Sequence, residues 1–124
     1  MRDTSILLIE DNEQNRYLVR FLLDAHGYAV TVAGDGPQGL ALARTSHPRA
    51  ILLDIQLPGM DGYAVARALR EMPHLAQVPV IAVTSYAMAG DREKALEAGC
   101  TGYIEKPINP DTFVAQLEEF FRKD

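Results

Sequence analysis

The feature that most constrains this chain is the alternation of short, almost wholly apolar runs with longer amphipathic ones. Ile6 to Ile9, Ala50 to Leu53 and Val78 to Val83 carry no charged side chain. Runs of that length are too short for buried helices and read as strands covered on both faces. Tyr28 to Val32 and Gly102 to Ile104 read as two further strands, the former with weaker alternation. Helices are expected between them. From Glu13 to His26, Leu18, Phe21, Leu22 and Ala25 fall on one helical face, and Gly27 supplies the stop. Asp35-Gly36-Pro37 is a helix start, with proline tolerated in the first turn, and that helix runs to about Ser46, before Pro48. Asp61 is the expected N-cap of a helix whose face is Gly62, Val65, Ala66 and Leu69. Met88 to Ala98, closed by Gly99, and Thr112 to Arg122, with Phe113, Leu117 and Phe120 inward, complete the set. Five such strands alternating with five helices predict a doubly wound parallel α/β sheet, because parallel crossovers are right-handed and cover both faces.

Composition limits what such a sheet can do. The chain has 124 residues, 48% hydrophobic and 23% charged, the proportions of one ordinary globular domain. Seventeen acids against twelve Lys and Arg give a net charge of −5. That balance disfavours a general nucleic-acid binder or a polybasic membrane anchor. No run is long enough for a signal peptide or a membrane span, so a cytoplasmic, reducing location is expected. Cys100, the single cysteine, has no intramolecular partner and reads as a packing residue. His26, His47 and His74 fall at helix ends or in loops and read as surface or capping residues.

In a doubly wound sheet, chemistry sits at the carboxyl ends of the strands. Glu10, Asp11, Asn12 and Glu13 follow the first strand, Asp54 the third, Thr84 and Ser85 the fourth, and Glu105, Lys106 and Pro107 the fifth. Each has an ordinary reading taken singly: Asp11 or Asn12 as an N-cap, Thr84 as a turn residue, Lys106 as a surface cation. Asp54 resists one, since it ends the apolar run Ile51-Leu52-Leu53 and a carboxylate there needs a partner. Like charges about 4 Å apart repel by roughly 4 kcal/mol at an effective dielectric near 20. Converging carboxylates therefore either raise a pKa or recruit a cation. Oxygen ligands suit a hard dication, Mg²⁺ before Mn²⁺ or Ca²⁺, and the lack of His or Cys at the strand ends disfavours Zn²⁺. A flavin or nucleotide binder would place a neutral Gly/Ser/Thr loop after the first strand, where this chain has acids, and no GxGxxG or GxxxxGK[ST] is present.

Four segments together resemble the receiver domain of two-component response regulators, with its CheY-like, flavodoxin-like fold. They are Leu8-Ile9-Glu10-Asp11-Asn12, the stretch from Leu52 through Asp54 to Gly62, Val83-Thr84-Ser85, and Gly102-Tyr103-Ile104-Glu105-Lys106-Pro107. The resemblance implies strand order 2-1-3-4-5 and a single receiver domain over residues 1–124. It makes Asp54 the phosphoacceptor, supplied by a sensor histidine kinase or a histidine phosphotransfer protein. Glu10, Asp11, Asp54 and the backbone carbonyl of Gln56 would hold Mg²⁺, while Thr84 and Lys106 would engage the phosphoryl oxygens. Tyr103 matches the aromatic switch residue, and Lys106-Pro107 is the expected cis bond. Gln56 and Tyr86, two residues beyond Asp54 and Thr84, match positions that tune hydrolysis, and bulk at Tyr86 suggests a slowly decaying phosphoryl group.

The runs Glu10 to Asn15 and Tyr86 to Asp91 resemble DivK-type single-domain regulators and are shared with receivers of hybrid histidine kinases. A free-standing regulator and a receiver excised from a larger protein both stay open. The resemblance implies a signalling protein with self-catalysed phosphorylation rather than a conventional enzyme. With no segment for an output domain, an effector protein would be met through the fourth helix, fifth strand and fifth helix. Ala95 and Leu96 are the expected anchors of that weakly apolar fourth helix. A haloacid-dehalogenase-type phosphatase would need a second acid two residues after its nucleophile, where Gln56 stands.

Overall fold

Five strands form one parallel sheet in the order β2-β1-β3-β4-β5. They are β1 (Ser5–Ile9), β2 (Ala29–Ala33), β3 (Ala50–Asp54), β4 (Val80–Thr84) and β5 (Gly102–Glu105). Five helices connect and follow them: α1 (Glu13–Ala25), α2 (Gly36–Thr45), α3 (Gly62–Arg70), α4 (Ala89–Glu97) and α5 (Phe113–Phe121). This computed structural model describes residues 5–57, 61–84 and 89–121. The expected doubly wound fold is therefore present, with the expected strand order.

Strand alternation divides the core into two layers. Leu7, Ile9, Ile51, Leu53, Val80 and Ala82 face one side, where Leu40 and Ala43 of α2, Val65, Ala66 and Leu69 of α3, and Ala95 and Ala98 pack. Ile6, Leu8, Leu52, Ile81 and Val83 face the other, under Val19, Leu22 and Leu23 of α1 and Phe113, Val114 and Leu117 of α5. Every residue of β3 and β4 is buried. Each such Leu or Ile contributes roughly 1.5–3 kcal/mol relative to exposure.

Local chemistry sets the helix starts. Asn12 accepts from the Asn15 N–H at 2.9 Å, Asp35 from Gln38 at 2.8 Å and Asp61 from Tyr63 at 3.0 Å. Gly27, at φ 86, follows α1 in the left-handed region where a side chain is strained. Gly62 opens α3 so close to the Ile55 backbone that a Cβ would lie 2.5 Å from the Ile55 Cα. Only glycine lets the β3–α3 connection close this tightly.

Several expectations shift. β4 begins at Val80, after Pro79, whose ring nitrogen carries no hydrogen for a ladder, and β2 begins at Ala29. A short 3₁₀ turn, Pro73–Leu75, precedes β4 and had no periodic signal. α1 is rotated from the expected face: Val19, Leu22 and Leu23 are buried, Leu18 is half-buried, and Phe21 and Ala25 are exposed. The triplet Val19-Leu22-Leu23 satisfies helical spacing as well as the expected set, and only the facing sheet chooses between them. α4 is held by Ala95 and Ala98, whereas Leu96 is 45% exposed. Phe120 is half-buried against the α1–α5 layer. Met88 and Arg122 lie outside the described residues. Cys100 is a free, buried thiol whose pKa burial pushes up to about 11, as a packing residue requires.

Candidate functional site

The carboxyl ends of β1, β3 and β5 bring Glu10, Asp54 and Lys106 together. Continuing the alternation of Leu8, Leu52 and Ile104 places all three on one face of the sheet. The ladder itself runs on past the strand ends: the Glu10 N–H donates to Ala33 at 3.0 Å and the Lys106 N–H to Thr84 at 2.8 Å. The backbone that carries these side chains is thus as fixed as the sheet.

Glu10 and Asp54 are each only 2% exposed. The Lys106 ammonium lies 3.4 Å from a Glu10 oxygen and 3.4 Å from Asp54 Oδ1. Asp54 Oδ1 also accepts the Gln56 N–H at 2.9 Å, and Glu10 Oε2 accepts the Asn12 N–H at 3.2 Å. Asn12 is the cap of α1, which leaves Asp11 exposed at the rim. Glu10, Asp11 and Asp54 each offer a carboxylate oxygen within 4.8 Å of the others.

One ammonium does not neutralise three carboxylates, and the excess shows in Glu10. Burial, then a hydrogen bond with Asp54 and its charge, push the Glu10 carboxyl from 4.5 up to about 7, against the pull of Lys106. A carboxyl that burial and a neighbouring carboxylate keep protonated near neutrality is what a hard dication would relieve. The donor set, all oxygen with one member at the rim, fits such an ion.

Thr84 is buried at the end of β4. Ala82 is in register with Tyr103, so Thr84, two residues on, projects from the same sheet face as Tyr103, one strand away. Tyr103 is half-buried against the α2–α3–α4 layer. The Lys106–Pro107 bond is cis. Tyr86 and Ser85 lie outside the described residues. Two contributors had no signature in the sequence: the backbone N–H groups of Asn12 and Gln56 that fix Glu10 and Asp54. Any residue but proline supplies such a donor, so only the fold reveals which ones are used. None of the three histidines is at the strand ends; His26 follows α1, bonded through Nδ1 to Leu22 O at 2.9 Å.

A doubly wound sheet with an acidic crevice and a lysine at its carboxyl edge is the arrangement that the resemblance to receiver domains implies. Comparison with known proteins agrees. Residues 6–118 match the model of the response regulator receiver domain. The polar-differentiation response regulator DivK of Brucella ovis is 42% identical over 116 residues, 94% of each chain, and that of Brucella anthropi 41% over the same span. The receiver domain of the Pseudomonas aeruginosa sensor histidine kinase PA1611, solved with a magnesium ion in its active-site cleft, superposes with a TM-score of 0.88 at 37% identity. That match covers 97% of this chain and 98% of the other. The Vibrio cholerae chemotaxis protein CheY4 superposes with a TM-score of 0.91 at 27% identity, over 96% and 99%.

The chain belongs to the response regulator receiver family, whose members are phosphoacceptors of two-component signalling. No helix among the described residues is long and apolar enough to cross a membrane.

Proposed function

We propose that this chain is a receiver domain that takes a phosphoryl group onto Asp54 and passes the signal on by protein contact. The observation that carries the reading is Asp54 itself: buried, held at Oδ1 by the Gln56 N–H and facing Lys106 among carboxylates that lack charge balance. A carboxylate so positioned is a nucleophile. Its oxygen forms a bond to phosphorus as the donor's nitrogen–phosphorus bond breaks, and a proton takes the phosphoryl group's place on the donor imidazole. The donor is a sensor histidine kinase or a histidine phosphotransfer protein.

Glu10, Asp11, Asp54 and the Gln56 carbonyl would hold Mg²⁺, which when bound supplies positive charge to the phosphoryl oxygens and the crowded carboxylates. The chain's own residues do the remaining work. Gln56 N–H orients Asp54, and the Lys106 ammonium, already between Glu10 and Asp54, pairs with a phosphoryl oxygen. The Thr84 hydroxyl donates to another. That contact exists only in the phosphorylated state, so it biases the β4–α4 connection, and Tyr103 on the same face turns into the space Thr84 vacates. Gln56 and Tyr86 would tune the hydrolysis of the acyl phosphate, with the bulk of Tyr86 slowing it. Phosphorylation and its loss are self-catalysed, without turnover of an external substrate.

Output passes through the α4–β5–α5 face. Leu96, Tyr103 and Phe120 line a cleft of about 400 Å³ there, with Arg92 and Gln116 at its polar side. The reading takes residues 1–124 as one receiver domain working in the cytoplasm as a free-standing regulator, in keeping with the likeness to DivK. The likeness to a histidine-kinase receiver favours a second reading, the same domain as part of a hybrid kinase, with the same chemistry at Asp54.

Incubation with acetyl phosphate and Mg²⁺, followed by intact mass, tests the assignment. One acid-stable, base-labile phosphoryl addition is expected, absent in Asp54→Asn and without Mg²⁺. Labelling that persists in Asp54→Asn would move the acceptor elsewhere.

A further inference from the structure

Away from the Asp54 crevice, two histidines meet near the amino ends of the strands. His47 stands in the connection from α2 to β3, and His74 in the 3₁₀ turn Pro73–Leu75 that leads from α3 toward β4. Their rings lie edge to face, with centroids 5.2 Å apart and planes at 75°. The backbone beneath both is well fixed. Pro48 follows His47 and Pro73 precedes His74, and proline restricts its own φ and the conformation of the residue before it. Ala43 and Leu75 are fully buried in the same core layer, and Arg70 Nη1 donates to the Leu75 carbonyl at 2.9 Å.

The half-buried His74 is oriented as well as anchored. Its Nε2 lies 2.7 Å from the Ala43 carbonyl oxygen, one of the last carbonyls of α2, which the helix itself leaves without a donor. A carbonyl oxygen only accepts, so the ring proton is on Nε2, and Nδ1 of the neutral ring keeps its lone pair. Ligating histidines are held in this way, one nitrogen donating to a carbonyl and the other left for the metal. His47, exposed beside it, supplies a second imidazole.

We propose that His47 and His74 form a binding site for a transition-metal dication of the zinc type. Donor chemistry selects the ion, since neutral imidazoles suit Zn²⁺ and Mg²⁺ takes oxygen. With metal–nitrogen bonds of about 2.0–2.1 Å, two imidazoles on a tetrahedral ion have centroids about 5 Å apart, against about 4.5 Å for the right angle of tetragonal copper. Edge-to-face packing alone gives a similar spacing, and a zinc titration separates the two. Water fills the remaining positions on the ion. The bound ion ties the connections that enter β3 and β4, and so stabilises the folded state by mass action. The site is independent of the role given to Asp54, none of whose partners it uses.

Calorimetric titration of the full chain with zinc chloride, in excess Mg²⁺ to fill the carboxylate crevice, is expected to show one zinc ion bound per chain. His47→Gln and His74→Gln should each weaken binding about tenfold or more, and His26→Gln should leave it unchanged. NMR of the imidazole nitrogens in the parent protein needs no variant to fold. His47 and His74 should shift together, His74 at Nδ1 with Nε2 still protonated. Zinc should raise the urea midpoint of the parent protein and not of the two variants. All variants should still be phosphorylated by acetyl phosphate. No binding at about 1 mM zinc, unchanged binding in either His47→Gln or His74→Gln, or zinc on Nε2 of His74 would overturn the proposal.

Discussion

β3 and α4 stand at opposite ends of a scale within one small domain. Ala50, Ile51, Leu52 and Leu53 of β3 are fully buried, with helices over both faces, and the strand delivers Asp54 to the crevice. Among the described side chains of α4 the buried anchors are Ala95 and, just beyond the helix, Ala98, both with the smallest of apolar side chains, and Leu96 is exposed. The nucleophile thus sits on the stiffest element, and the expected readout helix on one that little apolar area holds in place. A switch needs that contrast. A fixed site converts one phosphoryl group into a definite local contact, and a loosely held helix lets a contact of modest energy change the surface.

Breaking the stiff end should have the largest effect. Leu52→Ala removes a side chain buried between β3's neighbours and α1, and is expected to cost about 2–5 kcal/mol in urea unfolding. A loss under about 1 kcal/mol would mean that β3 is not the rigid element.

The next largest effect concerns charge at that same end. The Glu10 carboxyl titrates near 7 in the folded, metal-free protein against 4.5 when unfolded. The folded state therefore binds the extra proton, so this contribution is complete below pH 4.5 and is lost as pH rises through about 7. Metal-free protein should lose about 2–3 kcal/mol between pH 5 and pH 8 from this group. Glu10→Gln should flatten that profile, and Mg²⁺ should stabilise the parent protein at pH 8 far more than the variant. Chemical denaturation across pH, with and without Mg²⁺, measures both. An unchanged profile in the variant would place the missing charge elsewhere.

At the soft end, Ala95→Gly should cost about 1 kcal/mol by helix propensity alone. Its signature should be local, with faster hydrogen exchange across α4 and β3 amides unchanged. A global loss would show that α4 is coupled to the core more tightly than its anchors suggest. Smallest of all is Tyr86→Ala, expected to speed loss of the phosphoryl group a few-fold, under about 1 kcal/mol of barrier, in a phosphate-release time course. No acceleration would count against a shielding role.

Much of this contrast is legible in the chain. A run such as Ile51-Leu52-Leu53 is tolerated only where both faces are dry, so β1, β3 and β4 declare themselves. A polar residue directly after such a run, as at Glu10, Asp54 and Thr84, must lie at a sheet edge where it can be satisfied. The helix starts at Asn12, Asp35 and Asp61 follow from side chains that reach back to a free N–H. Short-range chemistry decides all of these.

Other features needed the assembled molecule. Helical spacing allowed α1 to bury Phe21 or Leu23, and only the sheet beneath it chose Leu23, leaving Tyr17 and Phe21 stacked in the open. Leu96 reads as an anchor until α4 is laid against its neighbours and Ala98 takes the contact. The proton on Glu10 arises because the fold buries its carboxyl and brings Asp54, 44 positions away, beside it, against the pull of Lys106. Periodicity and caps act within a turn or two of chain and so are written locally. Facing direction and electrostatic crowding are set by distant segments, and exist only once those segments have met.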